Sequence, residues 1–167
     1  YFIPFWKQPF VIPSIAAFFI ALFVLSGTAN AVNLTDGLDG LATITTLLVA
    51  AVLGVVAFFS NNTQMADYLN ILYIEGSGEI AIFLFALFGA LIGFLWYNSH
   101  PAEIFMGDVG SLTLGSILAV SAILLRRELL LALVGGIFVI EALSVILQVG
   151  SYKLRNKRRI FLCAPIH

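Results

Sequence analysis

The sequence predicts an all-α, polytopic membrane fold with five transmembrane helices, and three observations predict it. Of 167 residues, 61% are hydrophobic and 10% charged, with a mean hydropathy of +1.07. A soluble domain of this size needs a polar surface that such a composition cannot supply. Apolar runs long enough to cross a hydrocarbon core of roughly 30 Å recur along the chain. Polar segments, most of them short, separate those runs. The net charge of −1 gives no reason to expect a nucleic-acid partner. Cys163 is the only cysteine, which excludes an intrachain disulfide or a multi-cysteine metal site and leaves an inert loop thiol. No starting Met and no basic stretch leading into a short apolar one marks a signal peptide, so the chain reads as a piece of a longer protein.

The first span runs from about Pro13 to Val32, with Pro13 suited to a first helical turn. The second is Leu41 to about Phe59, followed by the polar stretch Ser60-Asn61-Asn62-Thr63-Gln64. The third, about Ile80 to Tyr97, is entered after Glu75-Gly76-Ser77-Gly78-Glu79. The fourth, Ser111 to Leu125, is short for a bilayer and would need local thinning or shielding by neighbours. Arg126-Arg127-Glu128 form a tight charged turn before the fifth, Leu129 to Val149. No internal repeat or low-complexity tract divides residues 1–167, so they form a single membrane domain.

If each span crosses once, the loops at 33–40, 98–110 and 150–167 share one side of the membrane. The last of these carries Lys153, Arg155, Lys157, Arg158 and Arg159, against Lys7, Arg126 and Arg127 opposite. The positive-inside rule therefore puts all three loops in the cytoplasm, and the basic cluster also suits anionic lipid headgroups.

The first loop reads Asn33-Leu34-Thr35-Asp36-Gly37-Leu38-Asp39-Gly40, with each aspartate followed by a glycine that allows close backbone approach. N-capping of the helix at Leu41 accounts for one aspartate. It leaves the second, and Asn33 and Thr35, unexplained. The second loop, Asn98 to Gly110, holds Asp108 between glycines, with Ser111 as a candidate N-cap. Asp36, Asp39 and Asp108 thus lie on one face, an oxygen-rich setting of the kind Mg²⁺ favours, completed by waters and substrate phosphates. The helices starting at Leu41 and Ser111 turn their positive ends to the same face. Acidic loops alone would repel a phosphate ligand, so charge balance calls for the cation. His100 reads as a surface polar residue. Glu141, inside the fifth span, and Gln148 on the same helical face read as structural hydrogen-bonding groups.

Four stretches resemble one family. Asn30 through Ala42, Phe105-Met106-Gly107-Asp108-Val109-Gly110-Ser111-Leu112, Glu141 through Val149, and Arg159-Ile160-Phe161 through Pro165-Ile166-His167 look like phospho-N-acetylmuramoyl-pentapeptide-transferases, the MraY family, in order and spacing. The resemblance implies a fold of ten membrane helices, of which this chain is similar to the fifth through ninth and the cytoplasmic loop that follows. It implies a Mg²⁺-dependent enzyme of the bacterial inner membrane, with its active site on the cytoplasmic face. Its partners would be UDP-N-acetylmuramoyl-pentapeptide, undecaprenyl phosphate and membrane lipids, its products lipid I and UMP. Members are often homodimers, although no residue read here marks an interface.

By the same resemblance Asp108 is the magnesium ligand, and Asp108, Asp36 and Asp39 carry the catalysis. Asn33, Asp36, Gly37, Leu38 and Asp39 line the nucleoside and sugar-phosphate cleft with Gly107, Phe105 lies at the uracil, and Asn98 is a polar cleft residue. His167 opens a family histidine run that holds substrate. The family's paired-aspartate loop and the remaining histidines lie outside the sequence, so residues 1–167 alone are expected to release no UMP. Two other readings share some of these features. A sister transferase using a UDP-N-acetylhexosamine donor would keep the aspartate loops. A secondary transporter would also use carboxylates at helix ends, but near the bilayer midplane and often in related halves.

Overall fold

The structure is a computed structural model that describes residues 13–154 and 163–166. Among them are seven helices: α1 (Ser14–Thr35), α2 (Leu41–Ser60), α3 (Thr63–Leu69), α4 (Ser77–Asn98), α5 (Gly107–Leu124), α6 (Glu128–Val134) and α7 (Gly136–Leu154). Five of them, α1, α2, α4, α5 and α7, are long and apolar enough to cross a membrane.

Packing centres on α2, whose apolar window is the most enclosed of the five. It lies chiefly against α4, while α1 lies against α5 and α7. Val32, Val49, Leu53, Leu84, Leu118, Leu131 and Phe138 form the core these helices share with α6. Outward-facing Phe18, Phe19, Phe23, Ile82 and Ile146 are exposed, as side chains meeting lipid should be. Lipid is as apolar as leucine, so the helices associate through close contact rather than apolar burial from water. Gly115 shows how close: a Cβ there would stand 2.7 Å from the Ala29 Cα and 2.9 Å from the Thr28 carbonyl oxygen. Only hydrogen fits between α1 and α5 at that crossing.

Several hydroxyls inside the spans find carbonyls in their own helices. Thr35 donates to Ala31, Thr45 to Leu41, Thr113 to Val109 and Ser116 to Leu112, each at 2.6–2.8 Å. Such bonds satisfy groups for which the hydrocarbon offers no water.

Several boundaries differ from those the sequence suggests. Helix α1 runs on to Thr35, so Asn33 lies in its last turn rather than in a loop. Helix α5 starts at Gly107 and has 18 residues, so the span is longer than expected and Asp108 sits in its first turn. Gly107, with φ +65°, makes that early start possible by turning the chain through a left-handed conformation. Ser111 is therefore inside the helix, donating to the Gly107 carbonyl at 3.0 Å, and is not the N-cap. Neither Asp36 nor Asp39 caps α2, whose N-cap is Gly40 with no side-chain bond.

The expected fifth span is interrupted at Gly135, between α6 and α7. A Cβ at Gly135 would lie 2.8 Å from the Leu131 carbonyl oxygen and 3.1 Å from the Phe138 ring. The polar segment after α2 contains a short helix, α3, which hydropathy does not announce.

Candidate functional site

At one end of the bundle the last turn of α1 meets the first turn of α5. Asn33 and Asp108, 75 positions apart in sequence, are brought to 3.0 Å: the Asn33 amide donates to Asp108 Oδ1. The same Nδ2 donates to Ser111 Oγ at 2.9 Å, and the Ser111 hydroxyl in turn donates to the Gly107 carbonyl. An amide nitrogen has two hydrogens, so both bonds can be made at once. The fork fixes the Asp108 carboxylate relative to two helices.

Asp36 follows immediately after α1. Burial, and then the negative charge of Asp108, hold its carboxyl above the usual carboxylate range, while the Gly107 backbone N–H beside it acts in the opposite direction. Two carboxylates repel each other here beside the N-terminus of α5. Among the described residues no group of three or more His, Cys, Asp or Glu side chains could hold a metal. The chemistry of the pair nonetheless suits a hard divalent cation completed by water and phosphate oxygens, since such ions often take only one or two protein carboxylates. A cation would also relieve the repulsion that acts on Asp36.

Asp39 faces other partners. Its Oδ2 accepts the Ala102 N–H at 3.2 Å and lies 3.1 Å from His100 Nδ1. His100, read from sequence as a surface polar group, is indeed exposed, but it is bonded. Asn98 is buried: its Oδ1 accepts from Thr43 Oγ1 at 2.6 Å and its Nδ2 donates to the Ile104 carbonyl at 2.9 Å. It pins α4 to α2 and fastens the 99–106 loop at Ile104, next to Phe105.

Gly37 and Leu38 are exposed at the α1–α2 turn. Phe105, in the 99–106 loop, is 75% exposed. The structure thus gathers Asn33, Asp36, Gly107 and Asp108 at one point and holds Asp39 with His100 at another. His167 lies outside the described residues, as do Arg155, Lys157, Arg158 and Arg159 of the basic loop. The segment before His167 returns to the bundle, where the Ile166 N–H donates to Glu141 Oε2 at 2.9 Å.

Sequence reasoning missed Thr43 and the role of His100, and gave Ser111 the wrong one. Ser111 carried a usable signal, because position i+3 from Asp108 shares its helical face. Thr43 carried none.

Residues 1–126 match glycosyl transferase family 4. The chain belongs to this family. Two relatives carry the name phospho-N-acetylmuramoyl-pentapeptide-transferase. The one from Protochlamydia amoebophila is 64% identical over 170 residues, covering 99% of this chain and 42% of the relative. The one from Fusobacterium nucleatum is 57% identical over 164 residues, covering 98% of this chain and 45% of the relative. The chain therefore spans less than half the length of these family members. Within the family its similarity to this group extends over nearly every residue, including both loops of the acidic end.

Proposed function

We propose that the full-length protein transfers phospho-N-acetylmuramoyl-pentapeptide from its UDP carrier to undecaprenyl phosphate, forming lipid I and releasing UMP. The reaction takes place at the cytoplasmic face of the bacterial inner membrane. The observation that carries this reading is the Asn33–Asp108 pairing, which sets a carboxylate at a helix N-terminus beside a second, desolvated carboxylate. The relatives' name gives the transferred group, and the UDP carrier and undecaprenyl phosphate are what the resemblance of the sequence implies.

Asp108 would hold Mg²⁺, with Asp36 beside it. When bound, the ion supplies charge neutralisation for the diphosphate oxygens. Asn33 and Ser111 keep the Asp108 carboxylate from rotating away. The free N–H groups at the start of α5 give a positive end against which phosphate can rest. Gly37, Leu38 and Asp39 form the donor side of the cleft with Gly107, and Phe105 offers an exposed ring for the uracil to stack on. Asn98 acts from behind, by fastening the loop that carries Phe105. His167 would contact the donor. With these groups in place the acceptor's phosphate oxygen attacks the donor's β-phosphate, a displacement governed by positioning and charge.

The test is Asp108→Ala in the full-length protein, with UMP release followed against Mg²⁺ concentration. Turnover should fall at least about 100-fold and lose its Mg²⁺ saturation. Near-normal turnover removes Asp108 from the metal role. Equal or better use of a UDP-N-acetylhexosamine donor by the wild type would move the protein to the sister transferases.

A further inference from the structure

We infer that His100 is a positioning residue: it clasps the acidic turn to the Phe105 loop through Asp39 and so sets the affinity for the nucleotide end of the donor. The inference rests on the donor-site reading above.

The loop between Ser99 and Met106 has no regular secondary structure. It is fastened at three points. Two tie residues 103–104 to the end of α4: Asn98, bonded to Thr43 and to the Ile104 carbonyl, and the Tyr97 carbonyl, which accepts from Glu103 N–H at 2.8 Å and from Ile104 N–H at 3.3 Å. The third is outside. A single oxygen of Asp39 stands 3.1 Å from His100 Nδ1 and 3.2 Å from the Ala102 nitrogen, so it is gripped from both sides of Pro101.

An ionised Asp39 can only accept, so His100 must present its Nδ1–H, whether the ring is neutral or protonated. This bond joins the turn holding Gly37 and Leu38 to the loop holding Phe105. With the clasp closed the two walls cannot shift separately. Without His100 the Ala102 N–H alone links the loop to Asp39, and a bound nucleotide must order the stretch that leads into the Phe105 segment.

The side chain of His100 is 86% exposed, which limits the clasp to the strength of an exposed polar pair. The consequence is an effect on donor affinity and not on the chemical step. In the full-length protein, His100→Ala should raise the donor KM by about two- to fivefold, the range an exposed pair can supply. It should leave kcat and the lipid-acceptor KM unchanged. His100→Asn should restore the donor KM, because its amide nitrogen sits as far along the side chain as Nδ1 and can donate to Asp39.

Hydrogen exchange gives a readout independent of turnover. The Ala102 amide should exchange faster in His100→Ala and regain protection in His100→Asn. An unchanged donor KM, a fall in kcat at constant KM, or His100→Asn behaving like His100→Ala would each overturn the proposal. If the wild type itself releases no UMP, the functional reading fails. Faster Ala102 exchange in His100→Ala would still support the clasp in that case, and unchanged exchange would refute it.

Discussion

Both ends of the helical bundle are rich in polar residues, yet the two ends use them differently. At the acidic end side chains bond to side chains of other elements: Asn33 with Asp108 and Ser111, Thr43 with Asn98, Asp39 with His100. At the opposite end Asn62 and Ser77 bond to backbone. Asn62 Oδ1 accepts the N–H groups of Gln64 and Met65 and caps α3. Ser77 donates to the Ile74 and Ala57 carbonyls. Backbone partners terminate helices. Side-chain partners reached across elements hold a carboxylate at a chosen place, which helix termination does not require. The difference teaches that polarity at a membrane helix end is weak evidence of a site, whereas cross-element pairing of acids is strong evidence.

The largest effect short of removing Asp108 itself should come from cutting that pairing. Asn33→Ala leaves the carboxylate of Asp108 in place but unanchored. Loss of such an orienting partner lowers metal affinity or turnover by about 10–100-fold. A Mg²⁺ titration of UMP release in the full-length variant measures it. A wild-type curve would mean that the pairing does not orient the site.

Next comes the contact that brings α1 and α5 together beneath the site. Gly115→Ala places a methyl carbon against the Ala29 backbone, where no flexible side chain can yield. Overpacking of this kind costs about 1–3 kcal/mol, read as a lower thermal midpoint in detergent. Because α1 carries Asn33 and α5 carries Asp108, turnover should fall with it. A stable variant with intact turnover would show that the two helices can separate without disturbing the acids.

A smaller effect concerns Asp36. Its carboxyl is held above the usual range by burial and by Asp108. Between its ordinary pKa and the raised one, the folded chain binds more protons than the unfolded chain. Stability therefore falls as pH rises through that window, and the penalty is complete above the raised pKa. Asp36→Asn should raise the thermal midpoint of the metal-free protein at neutral pH. The gain should vanish at pH values below the ordinary carboxylate range. Added Mg²⁺ should stabilise the wild type more than the variant. A gain that persists in acid would point to packing instead of charge.

How much of this could be read in the sequence depended on the kind of force involved. The membrane helices follow from hydropathy, which sums over many residues and tolerates local irregularity. The gathering of Asp36 and Asp108 on one face followed from parity alone. Their partners did not, because Asn33 and Ser111 meet only through the tight α1–α5 crossing at Gly115, and steric fit leaves no hydropathy signal. The interruption at Gly135 was hidden for the same reason. His100 precedes Pro101 in a loop, without any periodicity that would assign it a face, so only the folded structure shows its bond to Asp39.

The last way to probe the comparison is at the end expected not to matter. Asn62 is as polar and as exposed as several residues of the acidic turns, and it too makes two hydrogen bonds. Both go to the first turn of α3, a helix of seven residues that touches α2 but none of the site elements to any extent. Asn62→Ala removes the cap and should cost about 1 kcal/mol of local stability. UMP release and donor KM should stay at wild-type values, because no carboxylate is oriented by it. Faster proteolysis within 61–76 with unchanged turnover is the expected pair of results. A loss of turnover comparable to that of Asn33→Ala would abolish the distinction between the two ends, and with it the argument that cross-element pairing is what marks the site.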